Sequence, residues 1–310
     1  MSRLPAHLAD QLRLPLIVAP MLRVSGPDLV IAACRAGAIG AFPTANARGV
    51  EQLDQWLDTI TRATGPAAAP YCPNLVIRHP ELAAHVDCLA RHRAPLVITS
   101  VGSPAAVVGP LHEVGTLVLS DVATLAHAHK AVAAGADGLV LLTAGAGGQT
   151  GWLNPFAFVR AVREFFDGPL VLAGGIADGV ALRAATTLGA DLGYMGTRFI
   201  AATESLAAPE YRRMLVDSTL DDIVLTSAFT GLPTNMLRPA LDAAGLDLAK
   251  LDEQVTPAEA AELFGGRATG FGPKRWTDVF SAGHSVTGVH EVASAAELIR
   301  RTEREYLETL

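Results

Sequence analysis

Cysteine is scarce in this chain. Its 310 residues include three, Cys34, Cys72 and Cys88. None stands in a Cys-x-x-Cys pair or beside a histidine at ligand spacing, which argues against a disulfide framework and a zinc-binding motif. Reduced thiols in a cytoplasmic setting are expected, and no metal site. Charge is sparse as well: 18% of residues are charged against 50% hydrophobic, and mean hydropathy is +0.32. A disordered chain, or one that wraps nucleic acid, needs the opposite balance. The formal net charge of −7 and pI near 5.7 leave no broad basic face, so no nucleic-acid partner is expected. A local anion site made of backbone amides is untouched by that argument. The first twenty residues hold no long apolar core of a secretory signal. From Gly138 to Val159 charge is absent altogether, a length that could span a bilayer. Gly145, Gly147, Gly148, Gly151, Asn154 and Pro155 interrupt it, however, and a spanning helix would be left broken. No membrane partner is expected.

What the chain does have is a repeating alternation. Apolar runs recur at Leu16–Ala19, Ala38–Ala41, Tyr71–Leu75, Leu96–Thr99, Thr116–Leu119, Gly138–Leu142, Leu170–Ala173 and Leu192–Met195. Between them lie helix-like stretches near Pro27–Arg35, Glu51–Arg62, Glu81–Arg91, Pro104–Val108, Val122–Ala134, Pro155–Phe166 and Val180–Leu188. Short runs without polar alternation are what a strand buried on both faces looks like. Helices between such strands imply parallel neighbours. Eight of them match an α/β fold, a closed (β/α)8 TIM barrel, which typically needs about 250 residues before additions. An open doubly wound sheet would alternate in the same way with fewer strands. After Met195 the pattern changes. Residues 200–280 are charged and helix-prone, with no convincing buried strand, and read as a helical insertion after the eighth strand on the substrate side. Residues 1–199 and 281–310 make up the barrel, which Ser294–Leu310 completes as an amphipathic helix.

In such barrels the working residues lie at the C-terminal strand ends. Gly174 and Gly175, in Ala-Gly-Gly-Ile-Ala-Asp-Gly, follow the seventh run and open a helix. Gly196 and Thr197, in Met-Gly-Thr-Arg-Phe, follow the eighth. Amides there suit a phosphate, and the loops after strands seven and eight are its usual cradle. A third loop, residues 144–151, places four glycines in eight residues, allowing close approach to a flat ligand, with Gln149 as its one long polar side chain.

Taken together, Ala19-Pro20-Met21, Asn74, the glycine loop at 145–151, Gly-Gly-Ile-Ala-Asp-Gly at 174–179, Met-Gly-Thr-Arg-Phe at 195–199 and Ser-Ala-Gly at 281–283 resemble the nitronate monooxygenase family of FMN-dependent barrels. The resemblance implies FMN as cofactor and a cytoplasmic oxidoreductase that oxidises a nitronate-like small organic substrate with O2. Relatives also include NAD(P)H-dependent reductases and enzymes acting on CoA thioesters, so an NAD(P)H or CoA-thioester oxidoreductase is the alternative. It further implies that Ala19, Pro20 and Met21 lie against the flavin ring and that Asn74 bonds its polar edge. Gly148 and Gln149 would border the ring, and Gly174, Gly175, Gly196 and Thr197 would take the phosphate. Ser120 would stand where the family has a polar flavin contact, often lysine.

One departure matters for mechanism. Many members carry histidine in the third loop where this chain has Gln149, and an amide has no usable pKa near neutrality. Proton abstraction by that position is excluded, whereas oxidation of an already ionised nitronate needs no base. His284, after the Ser-Ala-Gly run, is the substitute acid or base to consider; a plain loop histidine is the alternative. The remaining histidines, His79 and His85 among them, read as structural or exposed. Arg238, Lys274 and Arg275 are candidates for holding an anionic substrate or co-substrate, the last two beside Trp276. A non-redox phosphosugar enzyme would need Lys, Glu or Asp at a strand end, and none is clear. A flavin-binding protein without turnover is the third reading. The apolar composition permits a homodimer.

Overall fold

The computed structural model of the chain describes residues 3–247, 249, 251–264 and 276–309. Its strands are β1 (Leu16–Val18), β2 (Ile39–Pro43), β3 (Tyr71–Val76), β4 (Leu96–Ser100), β5 (Leu117–Val122), β6 (Gly138–Leu142), β7 (Gly148–Gln149), β8 (Leu170–Ala173), β9 (Leu192–Met195), β10 (Ile223–Thr226) and β11 (Thr234–Leu237). All eight expected apolar runs are strands, and they close a parallel barrel in the order β1-β2-β3-β4-β5-β6-β8-β9. Closure is made by β9 returning to β1, with Leu16 opposite Gly193 and Val18 opposite Met195.

The absence of polar alternation has a direct cause. In β6, Val140 packs in one cluster with Ile17, Ile39, Ile98, Leu119 and Val171 from the other strands, inside the barrel. Its neighbours Leu139 and Leu141 pack outward with Phe158 and Val162 of the helix Pro155–Arg163. Both faces are therefore buried. Leu4 and Leu8, the latter on the short helix Ala6–Ala9, join the inner cluster and seal the N-terminal end.

Helix starts follow local chemistry. Asn154 accepts hydrogen bonds from the amides of Phe156 and Ala157 ahead of Pro155, and Asp178 accepts from Ala181 at 2.7 Å to open Gly179–Leu188. Ser294 caps Ala295–Glu308, which lays Leu298 and Ile299 on the barrel helices. No helix among the described residues is long and apolar enough to cross a membrane.

Residues 200–280 require a correction. They hold the helices Pro209–Asp217, Arg238–Ala243 and Pro257–Phe264, but also the antiparallel pair β10 and β11, and β11 pairs in turn with β7 of the glycine loop. Although β11 is wholly buried, its sequence begins Thr-Asn. Those polar side chains are satisfied locally, Thr234 Oγ1 donating to Leu232 O at 2.9 Å and Asn235 Nδ2 to Ala146 O at 2.7 Å. Apolar pattern alone gives no sign of a strand whose burial rests on hydrogen bonds.

Candidate active site

A cavity of about 440 Å³ opens at the C-terminal ends of the barrel strands, within the range of cofactor sites. Ala19, Pro20, Met21, Asn74, Gly148, Gln149, Gly174, Gly175, Gly196 and Thr197 all line it. Residues from distant parts of the chain are thus brought to one place.

Backbone makes one side. Gly174 and Gly175 adopt φ of +122° and +76° beside the start of the helix Gly179–Leu188, and a Cβ on Gly174 would stand 2.5 Å from Thr143 Oγ1. Only glycine suits both positions. The amides of Gly175, Ile176, Gly196 and Thr197 find no acceptor among the described residues. Four free donors converging on a cavity wall fit a phosphate, which accepts several at once. The Thr197 side chain is already engaged, its Oγ1 accepting from Gly283 N at 2.9 Å and tying the Ser281–Ser285 segment to this rim.

Side chains make the opposite side. Asn74, buried at the end of β3, gives Nδ2 to Ile98 O at 3.4 Å and accepts from Ser100 Oγ at 3.2 Å. Beyond them, on β5, Asp121 lines the cavity. Its Oδ1 is buried without a hydrogen-bond partner, and burial raises the carboxyl from its ordinary value to about 7. Tyr194 on β9 faces the same space, and its phenol is held well above its usual range by burial first and the Asp121 charge second.

The glycine loop forms part of the cover. Asn235 holds it through Ala146 O, and Thr150 Oγ1 donates to Thr143 O at 2.9 Å. The pairing of β7 with β11 then sets half-buried Gln149 at the cavity wall, with Gln149 opposite Thr234. Tyr211 stacks on Phe280 at 4.2 Å, donates its hydroxyl to Ser281 O, and completes the wall from the insertion.

Three expectations change. Ser120 is buried but does not line the cavity; strand parity explains it, since Leu119 belongs to the inner cluster and Asp121 shares its face while Ser120 points the other way. His284 is exposed, and it packs its ring against Gly145 from outside, its amide donating to Gly145 O at 2.9 Å. It does not line this cavity, although its neighbour Ser285 does. Arg238 is likewise exposed and outside the lining, while Lys274 and Arg275 lie outside the described residues. Among described residues the cation at the cavity is Arg78, in the turn after β3, which sequence reasoning passed over. A strand-end scan for polar residues at inward parity would have found Asp121; nothing local marks Arg78.

The family model described as nitronate monooxygenase matches residues 77–303, well over half of the chain. The chain belongs to the nitronate monooxygenase family. Enzymes of this family are oxidoreductases and generally flavin-dependent. Within it, the chain is 26% identical to a nitronate monooxygenase of Paraburkholderia phytofirmans, covering 96% of this chain and 93% of that one. It is 27% identical to the (3aS,4S,5R,7aS)-5-hydroxy-7a-methyl-1-oxo-octahydro-1H-indene-4-carboxyl-CoA dehydrogenase of Mycobacterium tuberculosis, over 73% of this chain and 64% of that protein's length. Its fold matches FabK from Thermotoga maritima at a TM-score of 0.84 and 27% identity, covering 99% and 96% of the two chains.

Proposed function

We propose that this member of the nitronate monooxygenase family is an FMN-dependent oxidoreductase that oxidises a small nitronate-like anion with O2. The observation that carries the reading is the two-sided cavity. Free amides at Gly175, Ile176, Gly196 and Thr197 stand on one side, with Asn74 and Asp121 on the other. When bound, FMN supplies the centre that accepts electrons from the substrate. The β8 and β9 loops would hold its phosphate, and Pro20, Met21 and Asn74 its ring. Gln149 orients the substrate by hydrogen bonding and takes no proton, which suits a substrate already ionised. Arg78 offers charge complementarity to an anion at the cavity mouth. Asp121 is the group that holds or releases a proton there, in place of the missing loop histidine.

The alternative, an NAD(P)H-dependent or CoA-thioester oxidoreductase, draws support from a different part of the cavity. Leu232, Pro257 and Trp276 of the insertion add apolar surface to the cavity wall, on which the larger apolar part of such a substrate would pack. The CoA-named relative points the same way. Anaerobic mixing of the flavin-loaded protein with an alkyl nitronate, NADH and NADPH in turn separates the readings. Bleaching by the nitronate alone supports the first, bleaching by a nicotinamide cofactor supports the second, and a colourless protein that takes up no FMN overturns both. The chain is further proposed to act in the cytoplasm on a small molecule, with a homodimer as its assembly to test by sedimentation.

A further inference from the structure

Two groups of metal-ligand type occur among the described residues, and they differ in a telling way. In the first, Asp54, Cys88 and His92, the carboxylate is already spent: Asp54 Oδ1 takes Arg91 Nη2 at 3.1 Å and His92 Nε2 at 3.0 Å. Burial also pushes the Cys88 thiol up to about 11. That group is an ion-pair cluster.

The second group, His79, Glu81 and His85, stands in the turn after β3 and on the first turn of the helix Leu82–Arg91. His85 is 1% exposed. Its Nδ1 lies 3.0 Å from Thr44 Oγ1, and the Thr44 hydroxyl gives its hydrogen to Asn74 O at 3.2 Å. A hydroxyl has one hydrogen to give, so Oγ1 accepts from Nδ1–H and the ring's Nε2 keeps a lone pair. That Nε2 is buried and has no partner. An oriented imidazole with one nitrogen tied to an oxygen and the other bare is the arrangement of a metal-ligating histidine. One donor atom from each of His79, Glu81 and His85 falls within 4.8 Å of the others. The His79 ring is stacked on His85 with centroids 4.6 Å apart, and its Nδ1 accepts from Glu81 N at 3.2 Å.

We propose that His79, Glu81 and His85 form a binding site for a divalent transition-metal ion of the zinc class. Two imidazoles and a carboxylate suit Zn²⁺ or Co²⁺ and not Ca²⁺ or Mg²⁺, which prefer all-oxygen shells. Bonds of about 2.0–2.1 Å require the donors to draw in by roughly 1 Å. His85 is anchored through Thr44, so the movement falls to exposed Glu81 and half-buried His79, whose ring must turn out of the stack and give up its bond from the Glu81 amide. The sequence alone assigned these histidines no such role, because the bare Nε2 exists only once Thr44 of the β2 turn meets the helix. The site does not depend on the flavin reading.

The test is a titration of chelator-treated protein with Co²⁺, read by its visible absorption, and with Zn²⁺, read by calorimetry and by the shift in melting temperature. One ion per chain is expected, with binding in the micromolar range or tighter. Glu81→Gln and His79→Ala should each weaken it about tenfold or more and reduce the thermal shift at a fixed metal concentration, while Asp54→Asn leaves both unchanged. His85→Asn should abolish binding; if that variant does not fold, the two variants nearer the surface decide. Absence of stoichiometric binding by the unmodified protein, or binding unchanged in both Glu81→Gln and His79→Ala, overturns the proposal.

Discussion

Two aspartates stand at opposite ends of this barrel, one buried and one half-buried at the cavity, and they are treated in opposite ways. Asp191, just before β9 at the N-terminal end, is 7% exposed and met by donors on every side: Arg163 Nη2 at 2.6 Å, Leu170 N at 2.9 Å and Arg3 N at 2.8 Å. Asp121, near the C-terminal end of β5, is given none for its buried Oδ1. The barrel therefore has a sealed end, where the buried Asp191–Arg163 pair is answered, and an open end, where a carboxyl oxygen is left without a partner from the chain. An unanswered group persists in a folded protein where a ligand or a proton completes it.

The sharpest way to break this contrast is to damage the sealed end. Asp191→Ala leaves the Arg163 guanidinium buried without its anion, and urea unfolding should show a loss of about 3–5 kcal/mol. A loss under 1 kcal/mol would mean that Asp191 is not structural.

At the open end the damage should fall on binding. Gly196→Asp sets a carboxylate beside the amides proposed to hold phosphate, and FMN affinity, followed by fluorescence, should drop at least about a hundredfold. Gly196→Ala is the control: an added Cβ meets Ala19 Cβ and Met21 Sδ at 3.5 Å, ordinary contact, so the cofactor should stay.

Asp121→Asn should have the reverse sign to Asp191→Ala. A carboxyl raised to about 7 binds its proton more tightly folded than unfolded, so stability falls as pH climbs from near 4 to 7, and the penalty is complete above that. The variant escapes it. We expect Asp121→Asn to gain about 2–4 kcal/mol over the unmodified protein at pH 8 and nothing at pH 4, read from unfolding curves at the two pH values. Equal stability at both would place an unseen partner on Asp121. The smallest effect is expected from Gln149→His, which should leave FMN affinity within about twofold, since the loop is positioned by Asn235 and Thr150 and not by this side chain.

The barrel was legible because its signals are local. A strand buried on both faces announces itself in four or five consecutive residues, and Asn154, Asp178 and Ser294 mark helix starts by side chains that reach amides two or three positions away. The glycine rim was legible for the same reason, its shape being set by the backbone conformation of Gly174 and Gly175. Ser120 and Asp121 mark the limit: both are polar and adjacent, and only the inward parity of β5, set by the pairing of Leu119 with Ile98 and Gly138, decides which one meets the cavity. The placement of His284 outside the cavity lining was not legible, because proximity to Ser281 in sequence does not fix its direction once its amide binds Gly145.

Composition and periodicity thus determined the architecture, the end at which the site lies and the residues whose backbones line it. Tertiary structure alone decided which polar side chains are answered. Whether Asp121 stays bare, Asp191 is surrounded, or His85 keeps a free nitrogen depends on donors supplied from elements dozens of residues away, and a desolvation cost has no signature within a short stretch of chain.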